Sequence, residues 1–70
     1  MNPLATTIRS KLKAMYDAYI WELKVNPEVA ERYLAKAHGY RMGLEMAYSS
    51  KLLTPIFESF PTLWEDYEND

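Results

Sequence analysis

The stretch VNPEVAERYLAKAHG, from Val25 to Gly39, decides the fold because it places an Asn-Pro pair between two helix-forming segments. Asn is a preferred residue immediately before a helix, and Pro is favoured at the first helical position, where its missing N–H would have no partner. Pro also moves the residue before it out of the helical region, so a preceding helix ends there. We therefore predict that Asn26-Pro27 ends one helix and begins the next.

Two similar pairs, Asn2-Pro3 and Thr54-Pro55, occur elsewhere in the chain. Each places a residue that favours the start of a helix directly before a proline, so each is a candidate helix boundary. Taken together, the three pairs define helix A at about residues 3–25, helix B at about residues 27–53 and a C-terminal segment at residues 54–70.

We predict an all-α fold in a single domain, residues 1–70: an antiparallel helical hairpin of two long helices plus one or two short C-terminal helical turns. A chain of 70 residues buries only about 60% of the surface that it exposes when unfolded, so its core is small. Because the chain has no cysteine and one histidine, it lacks the residues for disulfides, thiolate zinc sites or histidine-rich metal sites. We therefore expect close helix packing and self-association, with a homodimer completing a helical bundle.

Each long helix carries one main apolar stripe, which we expect to pack against the other helix. At 100° per residue, such a stripe collects every third or fourth residue. The stripe of helix A contains Leu4, Ile8, Leu12, Met15, Tyr16, Tyr19 and Leu23. The stripe of helix B contains Val29, Ala30, Tyr33, Leu34, Ala37, Tyr40, Leu44, Ala47 and Tyr48.

Helix A also has a second, narrower apolar face. Trp21 projects nearly opposite to the main stripe, and Ala14, Ala18 and Val25 lie beside it at spacings of three and four residues. A large aromatic residue outside the main stripe needs another surface to cover it, so we predict that Trp21 contacts either the C-terminal segment or a partner protein.

Helix B has a second face built from small residues. Ala35, Gly39 and Gly43 recur every four residues, with Met42 and Met46 beside them. A glycine inside a helix costs about 1 kcal/mol relative to alanine, so two of them require a physical reason. We predict that another helix or segment approaches this row closely; the alternative is a weak helix with a local bend.

The C-terminal segment, TPIFESFPTLWEDYEND, alternates large apolar residues with acids. Pro61 excludes one straight helix, and Thr62 followed by Glu65 matches a capping box. The last short helix is therefore expected at about residues 63–67. We predict that the segment lies across one of the second faces, so that Trp21, Met42 and Met46 receive Phe57, Phe60 and Trp64.

Charged residues are distributed unevenly along the chain. The net charge is −2, but residues 1–53 carry +3 and residues 54–70, which contain no basic residue, carry −5. The C-terminal segment is thus either a solvated acidic tail, a docking segment for a basic partner, or a segment that folds back on the basic part of its own chain.

No pattern for catalysis or metal binding is present. His38 is the only side chain suited to proton transfer near neutral pH, and we interpret it as an exposed residue in a charged row. The acids Glu65, Asp66, Glu68 and Asp70 lack the spacing and the glycine of a calcium-binding loop. We therefore predict no enzyme activity, no cofactor and no metal site.

Nucleic-acid binding requires a clustered basic surface. Arg9, Lys11 and Lys13 are close in sequence but point in different directions around helix A, and the whole chain is acidic. Two alternatives stay open: a small nucleic-acid-binding regulator that uses these residues, and a nucleic-acid mimic whose acidic C-terminal segment occupies a basic groove.

The main functional prediction is a non-enzymatic protein-binding module that acts as a small inhibitor or adaptor by covering a surface on another protein. Phage or mobile-element origin, with a host or defence protein as the target, is part of this hypothesis. The predicted partner-binding residues are aromatic, thioether and acidic: Trp21, Met42, Met46, Phe57, Phe60, Trp64, Glu65, Asp66 and Tyr67. With no apolar run long enough for a signal peptide or a membrane span, we expect a cytoplasmic protein without membrane contact.

Overall fold

The computed structural model describes residues 2–68, which form four helices and no strand. The helices are α1 over Pro3–Val25, α2 over Pro27–Ala47, α3 over Ser50–Glu58 and α4 over Pro61–Glu68. α1 and α2 pack against each other as a hairpin, and the short helices α3 and α4 follow. The predicted all-α fold, with a two-helix hairpin and short C-terminal helical pieces, is confirmed.

Both Asn-Pro boundaries lie where the sequence predicts them. The Asn2 side chain accepts a hydrogen bond from the Leu4 N–H at 3.0 Å, which caps α1. Asn26 alone separates α1 from α2; its N–H donates to the Glu22 carbonyl at 2.7 Å, and its carbonyl accepts from the Val29 N–H at 3.0 Å. The Asn26 side chain makes no capping bond, so the extended backbone before Pro27 defines this turn.

The third predicted boundary is wrong. α2 ends at Ala47 rather than near residue 53, and Ser49 begins α3, with its hydroxyl accepting from the Leu52 N–H in a long bond of 3.4 Å. Pro55 lies inside α3 instead of starting a helix. A proline there removes only the bond to the carbonyl of Lys51, and since both residues are exposed, water can satisfy that carbonyl.

The last helix also begins earlier than predicted. α4 starts at Pro61 rather than Leu63, so Thr62 lies within the helix and is not its cap. The carbonyl of Phe60 accepts from the Leu63 N–H at 3.2 Å across the first turn. Pro61 therefore has the same first-position role as Pro3 and Pro27.

The core draws on all four helices. Its buried members are Ile8, Leu12, Tyr19, Ala30, Leu34, Ala37, Leu44, Leu53, Ile56, Phe57, Leu63 and Trp64. The middle parts of both predicted stripes are buried, whereas the end residues Leu23, Ala47 and Tyr48 are exposed. Because five of the core residues belong to α3 and α4, the C-terminal segment is a structural layer of the fold. Asp70, which we count among its acids, lies outside the described residues.

Candidate protein-binding surfaces

The aromatic residues of the C-terminal segment lie mainly in the protein's own core. Phe57 is 6% exposed and Trp64 is 8% exposed, and their rings meet edge to face at 5.4 Å. The Trp64 indole Nε1 donates to the Phe57 carbonyl at 2.7 Å. Phe60 is half-buried, with its ring 6.3 Å from that of Tyr16. Phe57 and Trp64 are therefore mainly core residues, and only their small exposed parts can contact a partner.

Polar and aromatic contacts hold α4 against the hairpin. The Tyr19 hydroxyl donates to the Asp66 carboxylate at 2.5 Å, and the rings of His38 and Tyr67 stack at 4.3 Å with an angle of 12° between their planes. His38 is thus half-buried and part of a docking contact, which corrects its predicted place in an exposed charged row. Among the alternatives for the C-terminal segment, the structure shows the one that folds back on its own chain.

Arg41 links α2 to both buried aromatic rings of the C-terminal segment. Its guanidinium lies 4.6 Å from the ring centre of Phe57 and 4.9 Å from that of Trp64. Its Nε also donates to the Glu45 carboxylate at 2.7 Å. Sequence reasoning missed Tyr19, His38 and Arg41 as contacts of the C-terminal segment, although the last two lie beside the main stripe of helix B.

One exposed apolar surface lies at the end of α1, and we call Trp21 and Val25 the turn patch. Trp21 is 63% exposed and Val25 is 60% exposed. Leu23 is also exposed, but it projects from the opposite side of the helix. The prediction that Trp21 receives an aromatic residue of the C-terminal segment is wrong, because that segment packs on the main-stripe side of the hairpin while Trp21 projects away from it.

A second exposed surface lies on α2, and we call Ala35, Gly39, Met42, Gly43 and Met46 the α2 open face. All five residues are exposed, with Met42 at 53% and Met46 at 89%. A Cβ built on either glycine meets no atom within 4 Å. The predicted close approach at Ala35, Gly39 and Gly43 is therefore wrong within the chain, and Met42 and Met46 receive no aromatic side chain.

The two apolar surfaces are far apart. Trp21 lies five residues before the Asn26 turn and Met46 lies twenty residues after it. At 1.5 Å per helical residue, these positions are separated by about 22 Å along the hairpin. The predicted binding residues therefore form two apolar surfaces rather than one.

A third surface combines aromatic residues with acids, and we call it the acidic notch: Phe57, Glu58, Pro61, Trp64 and Glu65 line an open cavity of about 280 Å³. Glu58 and Glu65 are both exposed. The sequence indicated Glu65 but missed Glu58 and Pro61, because the turn between α3 and α4 brings the two glutamates to one cavity. Asp66 and Tyr67 lie apart from it, in the contacts of α4 with the hairpin.

The basic residues near the start of α1 already have partners. The Lys13 ammonium lies 2.9 Å from the Asp17 carboxylate, and Lys11 lies 5.8 Å from the ring centre of Tyr40. Arg9 donates to the Ser59 hydroxyl at 3.0 Å.

The pKa of the Tyr40 hydroxyl lies above its usual value. The main cause is burial of the hydroxyl, and the smaller cause is its electrostatic interaction with Tyr48.

Within residues 2–67, no group of three or more His, Cys, Asp or Glu side chains is arranged to hold a metal ion. The described helices include none with the length and apolar character needed to cross a membrane. Comparison with known protein families, curated proteins and solved structures finds no match to this chain.

Proposed function

We propose that this chain is a non-enzymatic protein-binding module whose turn patch and α2 open face are covered by other protein molecules. The observation that carries the proposal is the exposure of Trp21, Met42 and Met46 although the core of the chain is complete. Single exposed apolar residues are ordinary, but contiguous apolar surfaces on small proteins mark interaction sites. Tryptophan and methionine are also enriched where proteins bind each other.

Self-association is proposed for the α2 open face. Gly39 and Gly43 leave the backbone of α2 accessible, so a second helix can approach it more closely than a surface of large side chains allows. Met42 and Met46 flank the glycines and adapt their shape to a partner. A homodimer formed in this way leaves both turn patches free for another protein.

An inhibitor or adaptor role follows from this division of surfaces. In this proposal the chain acts on its target by covering a surface or by joining two proteins, and the turn patch offers a tryptophan as the anchor. A cytoplasmic location and a phage or mobile-element origin stay predictions from the sequence. The geometry does not favour the nucleic-acid-binding regulator, because Arg9, Lys11 and Lys13 each contact another residue of the chain. The nucleic-acid mimic stays a prediction from the sequence.

Sedimentation equilibrium tests the self-association. The variant with Met42→Gln and Met46→Gln keeps side-chain length but removes apolar surface, and it folds normally because both positions are exposed. The wild type is expected to dimerise at micromolar concentration and the variant to remain monomeric. Lys51→Gln, at an exposed position of α3, is the matched control and should dimerise like the wild type. A wild type that stays monomeric, or a variant that dimerises equally well, contradicts the homodimer.

A further inference from the structure

We infer that the acidic notch binds the cationic side chain of a basic segment on a partner protein, with an arginine guanidinium as the best fit. This inference rests on the proposed protein-binding function and names the chemistry of one partner. The notch has an apolar floor of Phe57, Pro61 and Trp64, with Glu58 and Glu65 at its sides. An alkyl stem packs on such a floor while its charged end meets the carboxylates.

Charge complementarity selects this occupant. Glu58 and Glu65 are exposed, and neither forms an ion pair with another described residue. The C-terminal segment contains no basic residue that could neutralise them. A cation can interact with the carboxylates and the aromatic rings together, whereas an apolar side chain would interact with the rings alone.

The protein already places one guanidinium on the same rings. Arg41 lies 4.6 Å from the Phe57 ring centre and 4.9 Å from the Trp64 ring centre, so both rings accept a cation at close range. Arg41 belongs to α2 and does not line the notch, whose residues all belong to α3 and α4. The notch therefore offers a second approach to the two rings, and its cation has to come from outside the chain.

Arginine is favoured over lysine because its flat guanidinium stacks on aromatic faces and can donate to two carboxylates at once. The available volume of about 280 Å³ accommodates one long side chain.

Nuclear magnetic resonance titration tests the inference with N-acetyl-arginine amide as the probe and its neutral analogue N-acetyl-citrulline amide as the control. The arginine probe is expected to shift the Trp64 indole N–H signal and to leave that of Trp21 unchanged. The citrulline probe should produce no comparable shift, and N-acetyl-lysine amide should bind more weakly. A stronger effect from N-acetyl-norleucine amide would show an apolar occupant and overturn the inference.

The variant with Glu58→Gln and Glu65→Gln should weaken binding of the arginine probe about five- to ten-fold, since it removes two exposed ion pairs. Glu28→Gln with Glu31→Gln, at two exposed positions of α2, is the matched control and should bind like the wild type. Equal binding by the notch variant and the wild type overturns the inference. That failure leaves the α2 open face untouched, because the sedimentation test of Met42 and Met46 uses different residues and a different measurement.

Discussion

At the residue scale, Gly43 is expected to lower the stability of the isolated chain, because it is a glycine inside a helix. The residue lies inside α2 with ordinary helical backbone, and a Cβ at this position meets open space. Gly43→Ala is therefore expected to increase the free energy of unfolding by about 0.5–1 kcal/mol. Urea denaturation measures the change, and Ala35→Gly on the same face should produce a loss of similar size.

The same substitution separates folding from association. If the α2 open face meets a second copy, the added methyl group of Gly43→Ala prevents close approach and weakens the dimer while the monomer becomes more stable. Unchanged dimerisation by this variant in sedimentation equilibrium would show that the glycines are not at the contact.

Tyr40 gives a prediction about pH at the same scale. Burial raises the pKa of its hydroxyl, so above the usual tyrosine value of about 10 the unfolded chain loses this proton before the folded chain does. The associated stability is fully present below that value and is lost as the pH rises towards the folded pKa. Urea denaturation at about pH 9 and about pH 11 should show a smaller loss for Tyr40→Phe than for the wild type. An equal loss in both proteins would contradict the assignment.

At the element scale, Ser49 rather than Thr54 begins the third helix. Ser49→Ala removes the hydroxyl that accepts from the Leu52 N–H and is expected to cost about 0.5–1 kcal/mol of stability. Ser50→Ala is the matched control, because Ser50 is already helical and has no capping role. Denaturation curves of the two variants give the comparison, and a larger loss for Ser50→Ala would contradict the helix boundary.

The helix boundaries divide into those that local chemistry decides and those that tertiary packing decides. Asn2-Pro3 and Asn26-Pro27 were predictable because each pair combines a helix start with a forced break. Thr54-Pro55 misled because the proline lies on the exposed side of α3, while Leu53, Ile56 and Phe57 are buried. Burial of the other side therefore outweighs the one missing hydrogen bond.

The candidate binding surfaces were only partly predictable, because they too depend on tertiary packing. Helical periodicity places Trp21, Met42 and Met46 outside the main stripes, and the structure shows all three exposed. Periodicity gives no information on which side of the hairpin the C-terminal segment occupies. It also gives no sign that Glu58 and Glu65, on separate helices, line one cavity.

At the scale of the whole molecule, we expect folding to require the C-terminal segment. A chain that ends at Leu53 lacks four core residues, namely Ile56, Phe57, Leu63 and Trp64. We expect this truncated chain to lose its cooperative thermal unfolding transition in circular dichroism. A chain that ends at Glu68 keeps every core residue and should unfold cooperatively. A sharp transition for the shorter chain would show that the two-helix hairpin folds alone.

The chain completes its own core, and we propose that its remaining apolar surfaces are covered by other proteins. Site-specific photo-crosslinking in the cells that make the protein tests this proposal. A photoreactive phenylalanine analogue replaces Trp21, Met46 or, as the control, the exposed Lys51. We expect a discrete crosslinked protein from position 21, a crosslinked dimer of this chain from position 46, and neither from position 51. Equal labelling from all three positions, or none from positions 21 and 46, would contradict the proposal.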